Sequence, residues 1–406
     1  MQLPQVLTVP PGLRQTTAMR LVAMLLAAVL AVSALLFFTV GPNLADRAAN
    51  RVLRPGPYPA SPAAQALHRA LFVADLHADP LLWGRDLRVR GTHGHLDLPR
   101  LREGGVALQV FSAVTRVPSS INYEHNDGRM DLVTILAVGE RWPVATWTSP
   151  FARALHQARA LQAVAADSGG RFVIVTDAAT LQRVAEQHRT VPVLTGGLLA
   201  IEGLHAIEGD LHKLDALYDA GFRMMGLTHF FDNEVGGSAH GVEKNGLTEF
   251  GRQVVGRLEE RRIVVDLAHA SPHVIDDVLA IVTRPVVVSH GGVKGTCDHI
   301  RNLSDDHVRR VAATGGVIGI GYWDAAVCDV SVAGIVRAIQ HAVRVGGIDH
   351  VGLGSDFDGA TTTPFDATGL PQITEGLLAA GFSETDVAKL MGGNVLRVLR
   401  ETLSPQ

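Results

Sequence analysis

The sequence predicts an α/β fold, a (β/α)8 TIM-like barrel that follows an N-terminal transmembrane or signal-anchor helix. Within residues 63–406, apolar runs of strand length alternate with longer segments that contain Ala, Leu and Arg, which is the pattern of βα units. The strand candidates are apolar throughout, as expected of parallel strands that are buried on both faces. His and acidic residues recur where these runs end, and strand ends form the chemically active face of such barrels.

Length and composition agree with this fold. The chain has 406 residues, of which 47% are hydrophobic, and one barrel of about 300 residues with an appendage fits this length. The formal net charge is -4, and Lys and Arg are scattered along the chain. There is no basic stretch that would bind phosphates, so the sequence argues against nucleic acid as a partner.

The N-terminal apolar run Leu21–Val40 contains no charged residue. At about 1.5 Å per residue, a helix of this length matches a bilayer core of roughly 30 Å. We predict residues 1–20 as a cytoplasmic segment and residues 21–40 as a transmembrane signal anchor, with the later domain outside the cytoplasm, because Arg14 and Arg20 precede the run. The alternative is a cleaved secretory signal, but Asn43–Ala45 is a poor cleavage site.

Residues 41–62 are predicted as a Pro-rich linker. Four prolines in the stretch Arg54–Pro62 exclude helix and sheet there, so this stretch is expected to be a stiff spacer. The barrel domain is assigned to residues 63–406. On this division, a protein that lacks residues 1–54 would be soluble and active.

Eight strands are predicted in the barrel domain, and helices are predicted between or after them. The strands are Phe72–His77, Val106–Val114, Leu198–Glu202, Arg223–His229, Ile263–His269, Val286–His290, Val317–Tyr322 and Val351–Asp356. The main helices are Ser149–Ala166, Leu211–Ala220, Leu247–Arg261, Pro272–Val282, Asp305–Ala313, Ile335–Val345 and Glu384–Leu399.

The chain has two cysteines, Cys297 and Cys328, which are 31 positions apart and form no CxxC pair. This spacing excludes a zinc knuckle and a dense disulfide framework. We interpret them as two separate thiols, with a single bridge as the alternative. Any metal ligands are therefore expected to be imidazoles and carboxylates.

Five residues at strand ends are candidate metal ligands: His77, Asp79, Glu202, His269 and His290. His77 and Asp79 are two positions apart, so in an extended chain their side chains point to the same face and can hold one ion. Glu202 could bridge two ions with one oxygen to each, and His269 with His290 could hold the second. Each residue alone has a plainer interpretation as a structural or surface residue. Their recurrence at corresponding positions favours a metal centre with Zn²⁺ as its first candidate, and Mn²⁺, Co²⁺ or Fe²⁺ as alternatives.

Two divalent ions about 3.5–4 Å apart would acidify a shared water and polarise a carbonyl, which predicts hydrolysis. Asp356, in the run Gly352–Gly359, is the candidate that takes the proton from this water and passes it to a leaving amine. Asp358 is the alternative, or it shapes the turn. Asp356 is favoured because it lies nearer the strand end.

Several short motifs together resemble one known family. They are the His77–Asp79 pair, Ile201–Gly203, Leu227–His229, Asp266–His269, Val288–His290, Arg301–Asn302 and Asp356–Gly359. In order and spacing they look like the membrane dipeptidase (renal dipeptidase) family, metallopeptidases within the amidohydrolase-like barrels, over nearly all of residues 72–400. The resemblance implies zinc-dependent hydrolysis of dipeptides, in several members with a D-residue at the second position. It also implies two zinc ions per chain, one held by His77 and Asp79, the other by His269 and His290, with Glu202 as the bridge.

The resemblance further implies three residues that contact the substrate. His229 matches the histidine that stabilises the tetrahedral intermediate, and Arg301 matches the arginine that pairs with the terminal carboxylate of the dipeptide. Asp356 matches the acid near the metals that binds the substrate amine or moves protons. With Glu202, His229 and Asp356 are the predicted catalytic residues. Without the resemblance, His229 would be interpreted as a packed core histidine and Arg301 as a surface ion-pair residue.

Some features leave alternatives open. The segment Gly321–Cys328 does not reveal the aromatic substrate contact of the animal members, so the side-chain preference is not predicted. One rival function is another metal hydrolase of this barrel class, acting on cyclic amides or phosphoesters, which would not need Arg301. The other is a non-catalytic surface binding protein, which would more naturally have lost metal ligands. The expected partners are a dipeptide and the membrane, through the N-terminal helix, and the family resemblance allows a homodimer.

Overall fold

The computed structural model describes residues 11–119, 121–190 and 194–405. The strands in these residues are β1 Arg51–Val52, β2 Val73–Asp75, β3 Val106–Val114, β4 Phe172–Ile174, β5 Thr195–Glu202, β6 Phe222–Gly226, β7 Val264–Asp266, β8 Val287–Gly291, β9 Val317–Ile320, β10 Val351–Leu353 and β11 Thr362–Thr363. The α-helices are α1 Pro11–Thr39, α2 Gly41–Ala49, α3 Pro62–Ala70, α4 Leu98–Glu103, α5 Leu132–Gly139, α6 Pro150–Ala166, α7 Ala178–Thr190, α8 Leu211–Asp219, α9 Glu249–Glu260, α10 Pro272–Leu279, α11 Asp305–Ala313, α12 Asp324–Val327, α13 Val332–Gly346, α14 Pro371–Ala379, α15 Glu384–Ala388 and α16 Asn394–Thr402.

Eight strands form a closed parallel barrel in the ring order β2, β3, β5, β6, β7, β8, β9, β10, with β10 paired to β2. These are the eight predicted strands, so the predicted barrel is confirmed. Several are shorter than predicted because the last residues of each run leave the sheet, as where β10 ends at Leu353. Strand β4 is an addition that pairs with the first half of β5.

Neighbouring strand residues belong to two different cores, as the alternation of side chains in a strand requires. Met224 and Val264 join one buried cluster that also contains residues of α7 and α16. The next residues along each strand, Met225 and Val265, join a larger cluster with the surrounding helices. The barrel is therefore filled on the inside and wrapped on the outside, which leaves its C-terminal mouth for polar residues.

Glycine allows three strands to approach closely at this mouth. A Cβ atom on Gly319 of β9 would lie 2.2 Å from the carbonyl oxygen of Ser289 in β8, and one on Gly354 would lie 2.0 Å from the same oxygen. No larger residue fits at either position. The two glycines therefore let β9 and the end of β10 pack closely against the Ser289 carbonyl of β8.

Helix α1 contains the apolar segment Ala18–Thr39, which has a mean hydropathy of 2.8 and no buried residue. By length and composition it is the one helix in the described residues that could cross a membrane. The first ten residues of the predicted cytoplasmic segment lie outside the described residues. Helix α1 meets the barrel domain at its C-terminal end, where the Arg141 guanidinium donates a hydrogen bond to the Phe38 carbonyl oxygen at 3.1 Å.

The predicted linker, residues 41–62, is not a free spacer in its first half. Helix α2 and strand β1 lie within it, and β1 pairs in parallel with β11. Asp46 and Asn50 are buried against the barrel domain. Residues 53–61, which contain three of the four prolines, have neither helix nor strand. The fourth, Pro62, is the first residue of α3, so the expected exclusion of helix is wrong at this position, because proline is tolerated in the first turn of a helix. The prolines act locally and exert no effect on residues 41–52.

The expectation of two separate thiols is wrong. Cys297 and Cys328 form a disulfide, with their Cα atoms 5.4 Å apart. Cys297 lies in the loop after β8, and Cys328 follows α12 in the connection after β9. Because β8 and β9 are neighbours in the barrel, their following loops meet, and this proximity cannot be read from a separation of 31 residues.

Candidate metal centre

The predicted site residues lie together at the C-terminal mouth of the barrel. They follow or end six strands: His77 and Asp79 after β2, Glu202 at the end of β5, His229 after β6, His269 after β7, His290 in β8 with Arg301 in the following loop, and Asp356 after β10. None of them is more than 8% exposed. Parallel strands direct all of their C-terminal ends to one face, which explains why residues so distant in sequence meet.

Glu202 lies at the centre of this group. Its Oε1 is 2.8 Å from Nε2 of His269 and 3.3 Å from Nε2 of His290, while its Oε2 is 3.2 Å from Nε2 of His229. The Nε2 atoms of His269 and His290 are 3.0 Å apart. Two imidazoles therefore point at one oxygen of the carboxylate and a third points at the other, so the two oxygens face separate sets of donors.

His77 joins Glu202 to two more carboxylates. Its Nε2 lies 3.3 Å from Oδ2 of Asp79, 3.8 Å from Oε1 of Glu202 and 3.9 Å from Oδ1 of Asp356. The spacing of His77 and Asp79 was predicted to bring their side chains to one ion, and the structure brings them together with Asp356.

Two buried aspartates hold the backbone that carries these residues. Asp75 accepts hydrogen bonds from the backbone N–H of His77 at 3.1 Å and of Ser355 at 3.0 Å, which ties the end of β2 to the loop after β10. Asp266 accepts one from the backbone N–H of Ser289 at 2.9 Å and so ties β7 to β8. These bonds fix the strand ends, since buried polar backbone groups need partners and both aspartates supply them.

The electrostatics of the cluster follow from burial and crowding. Burial alone would lower the pKa of His77, but the carboxylates of Asp79 and Glu202 raise it to about 10. Burial raises the pKa of Asp79 to about 6, against the opposing effect of His77. Glu202 is also buried, yet the imidazoles around it lower its pKa. Burial lowers the pKa of His269 and His290 well below the usual range, so both are neutral and have lone pairs available for a cation.

The donor set fits divalent metal ions. Three groups have donor atoms within 4.8 Å of one another: His77 with Glu202 and His290; Glu202 with His229 and His269; and His77 with Asp79 and Asp356. Within the described part of the chain, Oδ1 of Asp79 and Nδ1 of His269 are buried without a hydrogen-bond partner. Buried carboxylates that lie this close repel one another, and a bound cation would offset this repulsion while it accepts the lone pairs of the neutral imidazoles.

Arg301 and His229 border the same pocket. Nη2 of Arg301 donates a hydrogen bond to the carbonyl oxygen of His290 at 2.9 Å, which holds the guanidinium beside the cluster. Burial lowers the pKa of His229, and its Nδ1 lies 3.3 Å from the carbonyl oxygen of Arg116. If Nδ1 carries the proton, this contact leaves Nε2, the atom facing Glu202, without one.

Asp358, the alternative to Asp356, has a different environment. Its carboxylate lies 2.7 Å from Nη2 of Arg85 and accepts a hydrogen bond from the backbone N–H of His95 at 2.7 Å. Although burial raises the pKa of a carboxyl group, Arg85 lowers that of Asp358 below its usual range. Burial raises the pKa of Asp356, by contrast, and the nearby carboxylates of Asp79 and Glu202 add to this effect. Asp356 thus lies among the candidate metal ligands, and Asp358 stabilises the loop through Arg85 and the His95 backbone.

Two aromatic pocket residues were not found from the sequence. Trp323 lies with its ring centroid 5.8 Å from the guanidinium carbon of Arg301, and Tyr123 lies in the same pocket. Burial raises the pKa of Tyr123 to about 12, so its hydroxyl is protonated. Trp323 follows β9 by three residues and could have been found by the strand-end rule. Tyr123 lies in the long connection between β3 and β4, where no periodic pattern indicates its position.

A closed parallel barrel with buried imidazoles and carboxylates at its C-terminal mouth defines the class of metal-dependent barrel hydrolases. The chain matches the family model described as membrane dipeptidase (Peptidase family M19) over residues 62–405. It therefore belongs to the membrane dipeptidase family of metallopeptidases.

Relatives and solved structures agree with this family. An uncharacterised dipeptidase of Schizosaccharomyces pombe is 35% identical over 215 residues, which cover 50% of this chain and about half (53%) of that relative's length. An uncharacterised protein of Klebsiella pneumoniae encoded in the pqqA 5' region is 31% identical over 260 residues, 60% of this chain and 94% of the relative. A metallopeptidase of Rhodobacter sphaeroides, solved with a phosphinate mimic of the dipeptide L-Ala-D-Ala, is 26% identical with a TM-score of 0.65 and covers 82% of this chain and 99% of its own.

Proposed function

We propose that the protein hydrolyses the peptide bond of dipeptides with two zinc ions, and that a D-residue is accepted at the C-terminal position. The observation that carries the proposal is the convergence of the His77, His269 and His290 imidazoles on Oε1 of Glu202, at 3.8, 2.8 and 3.3 Å. The dipeptide mimic bound by the Rhodobacter sphaeroides relative supports the substrate class. Imidazole and carboxylate donors without thiolate support zinc.

The proposed ligands divide into two sets. His77 and Asp79 would hold one ion, His269 and His290 would hold the other, and Glu202 would contact both. When bound, two divalent cations acidify a water molecule and polarise the scissile carbonyl. The buried positions of the five side chains keep bulk water away from this centre.

Three other residues would then act on the substrate. Asp356 takes a proton from the attacking water and delivers it to the leaving amine, a task for which its raised pKa is suited. His229 donates a hydrogen bond from Nε2 to the oxygen of the tetrahedral intermediate in its imidazolium form, which the adjacent Glu202 carboxylate favours and burial opposes. Arg301 binds the terminal carboxylate with two parallel N–H donors.

Arg301→Ala is expected to lower kcat/KM by roughly 100-fold for dipeptides with a free C-terminus, since a buried charge pair is lost. Arg301→Lys keeps the charge but not the two-donor geometry, so an intermediate loss is expected. The measurement is kcat/KM for each dipeptide and for its carboxyl-amidated form. Equal losses on both forms would exclude the carboxylate-binding role.

The experiment that tests the proposal uses the full chain in detergent, with L-Ala-D-Ala and L-Ala-L-Ala as substrates. Amino-acid release should stop with a chelator and return when zinc is added, because the ligands alone cannot acidify water. The ratio of the two rates gives the stereochemical preference. Equal hydrolysis before and after complete metal removal would refute the metal-dependent mechanism. Two bound metals per chain without turnover of either dipeptide would refute the substrate.

We also propose that α1 anchors the barrel to a membrane, with the barrel outside the cytoplasm. The apolar segment Ala18–Thr39, which has no buried residue and no charge after Arg20, supports the anchor, and Arg14 and Arg20 support the orientation. Protease added to intact spheroplasts should digest an exported barrel, and complete protection of the barrel would contradict this orientation.

A further inference from the structure

The chain between the apolar helix and the prolines packs against the loop that carries Asp356. We name residues 46–53 the proximal segment and residues 356–363 the Asp356 loop. They are more than 300 positions apart in the sequence, yet they are joined by an ion-pair chain, by side-chain hydrogen bonds and by a strand pairing. The family match begins at residue 62, so the proximal segment lies outside the matched region.

The first connection is a buried chain of charges. Oδ2 of Asp46 lies 2.9 Å from Nε of Arg85, and Nη2 of the same guanidinium lies 2.7 Å from Oδ2 of Asp358. Asp46 is 3% exposed and Asp358 is fully buried. One guanidinium therefore links the two carboxylates, and its position depends on both partners.

The second connection consists of two hydrogen-bonded side chains. Oδ1 of Asn50 accepts a hydrogen bond from the backbone N–H of Ala360 at 2.9 Å. Nδ1 of His95 accepts one from the backbone N–H of Asp358 at 2.8 Å, and its Nε2 lies 3.0 Å from the carbonyl oxygen of Arg51. The His95 ring thus satisfies one backbone group of the loop and one of the proximal segment at the same time.

The third connection is the pairing of β1 with β11. The backbone N–H of Arg51 donates to the carbonyl oxygen of Thr361 at 3.1 Å, and that of Leu53 donates to Thr363 at 2.9 Å. Thr361 in turn donates from its hydroxyl to the carbonyl oxygen of Asp356 at 2.7 Å. Thr361 therefore connects the paired strands to the backbone of Asp356.

The Asp356 loop requires such support because of its backbone conformation. Asp356, Asp358 and Ala360 have φ values of 58°, 63° and 59°, which is the left-handed region that residues other than glycine rarely adopt. Such conformations persist only where surrounding contacts outweigh their energetic cost. The proximal segment contacts Ala360 directly through Asn50, and it reaches Asp358 through Arg85 and His95.

We propose that the proximal segment is a positioning element of the active site: through Arg85 and the backbone of the Asp356 loop, it holds the Asp356 carboxylate beside the metal ligands. The inference rests on the proposed role of Asp356 in catalysis. It replaces the expectation that the barrel works without residues 1–54. A protein shortened to residue 55 would lack all three connections and would bind metal with the Asp356 loop unsupported.

The test uses the full chain loaded with zinc and the variant Asp46→Asn. We expect kcat to fall about tenfold, as for residues that orient a catalytic group, while KM changes less than about twofold and two metals stay bound. Arg54→Gln is the control, since it removes a charge at an exposed position just beyond the proximal segment and should leave kcat unchanged. Asp46→Glu, which keeps the carboxylate, should recover part of kcat.

The double variant Asp46→Asn with Asp356→Asn separates positioning from general destabilisation. If Asp46 acts through Asp356, its substitution should lower kcat no further once Asp356 is replaced. An equal fold loss in both backgrounds, or an unchanged kcat for Asp46→Asn alone, would overturn the inference. If Asp46→Asn does not accumulate, Asn50→Ala breaks the second connection and carries the same expectations. A fully active Asp356→Asn single variant would instead contradict the proposed function.

Discussion

Glu202→Gln is expected to lose bound metal and to reduce dipeptide hydrolysis by at least about 100-fold, since even residues that only support ligands contribute 10–100-fold. The amide has one oxygen and one N–H₂ group, so it cannot present an anionic oxygen to both sets of imidazoles. The variant keeps the size of the side chain, and we expect the barrel to fold. Metal content by elemental analysis and kcat/KM on L-Ala-D-Ala are the two measurements.

Glu208→Gln is the matched control for this variant. Glu208 lies six positions further along the same connection, forms an ion pair with Lys213 and contacts none of the proposed ligands. It should keep both metals and full activity. A Glu202→Gln protein with two metals per chain and normal turnover would exclude the bridging role. Loss of both properties in the control as well would indicate a folding defect.

Asp356→Asn is expected to lower kcat by about 10²–10⁴-fold, the range typical of proton transfer by a positioned side chain. The asparagine can still accept a hydrogen bond but cannot take a proton at neutral pH. KM and metal content should change little, because Asp356 is not among the five proposed ligands. The measurement is kcat and KM on L-Ala-D-Ala at fixed pH, with metal content determined in the same preparation.

Asp358→Asn is expected to lower stability more than kcat, because Asp358 contacts Arg85 rather than the metal ligands. It removes one charged partner of Arg85, whose Nε and Nη2 atoms are buried, and breaking a buried ion pair typically costs about 3–5 kcal/mol of stability, so the melting temperature should fall. Its effect on kcat should be smaller than that of Asp356→Asn at a temperature where the protein is folded. A larger loss of kcat in Asp358→Asn would reverse the assignment of the catalytic acid.

The barrel and the cluster could be predicted because both depend on a local signal. An apolar run followed by His or an acid indicates a strand end, and a parallel barrel brings all such ends to one face. Glu202 and His290 needed no further information. The uncertainty between Asp356 and Asp358 arose because both follow the same strand. Their tertiary surroundings separate them, since Asp358 contacts Arg85 and the His95 backbone while Asp356 lies beside His77.

Features that depend on distant pairs could not be predicted. Asp46 is an ordinary acid on a short helix in the sequence, and its partner Arg85 is 39 positions away in a segment without regular structure. The prolines that follow suggested that the whole connection was a spacer. Tyr123 likewise has no periodic neighbours. In each case the position of the residue is decided by tertiary packing and leaves no pattern in the nearby sequence.

The disulfide between Cys297 and Cys328 has a consequence for where the barrel resides. Such bridges form and persist in oxidising compartments and are rare where cellular reductants keep thiols reduced. The bond therefore supports the proposed position of the barrel outside the cytoplasm, independently of the basic residues near the start of α1. It also encloses Arg301 between its two ends, so the proposed carboxylate-binding loop would acquire its covalent closure only after export.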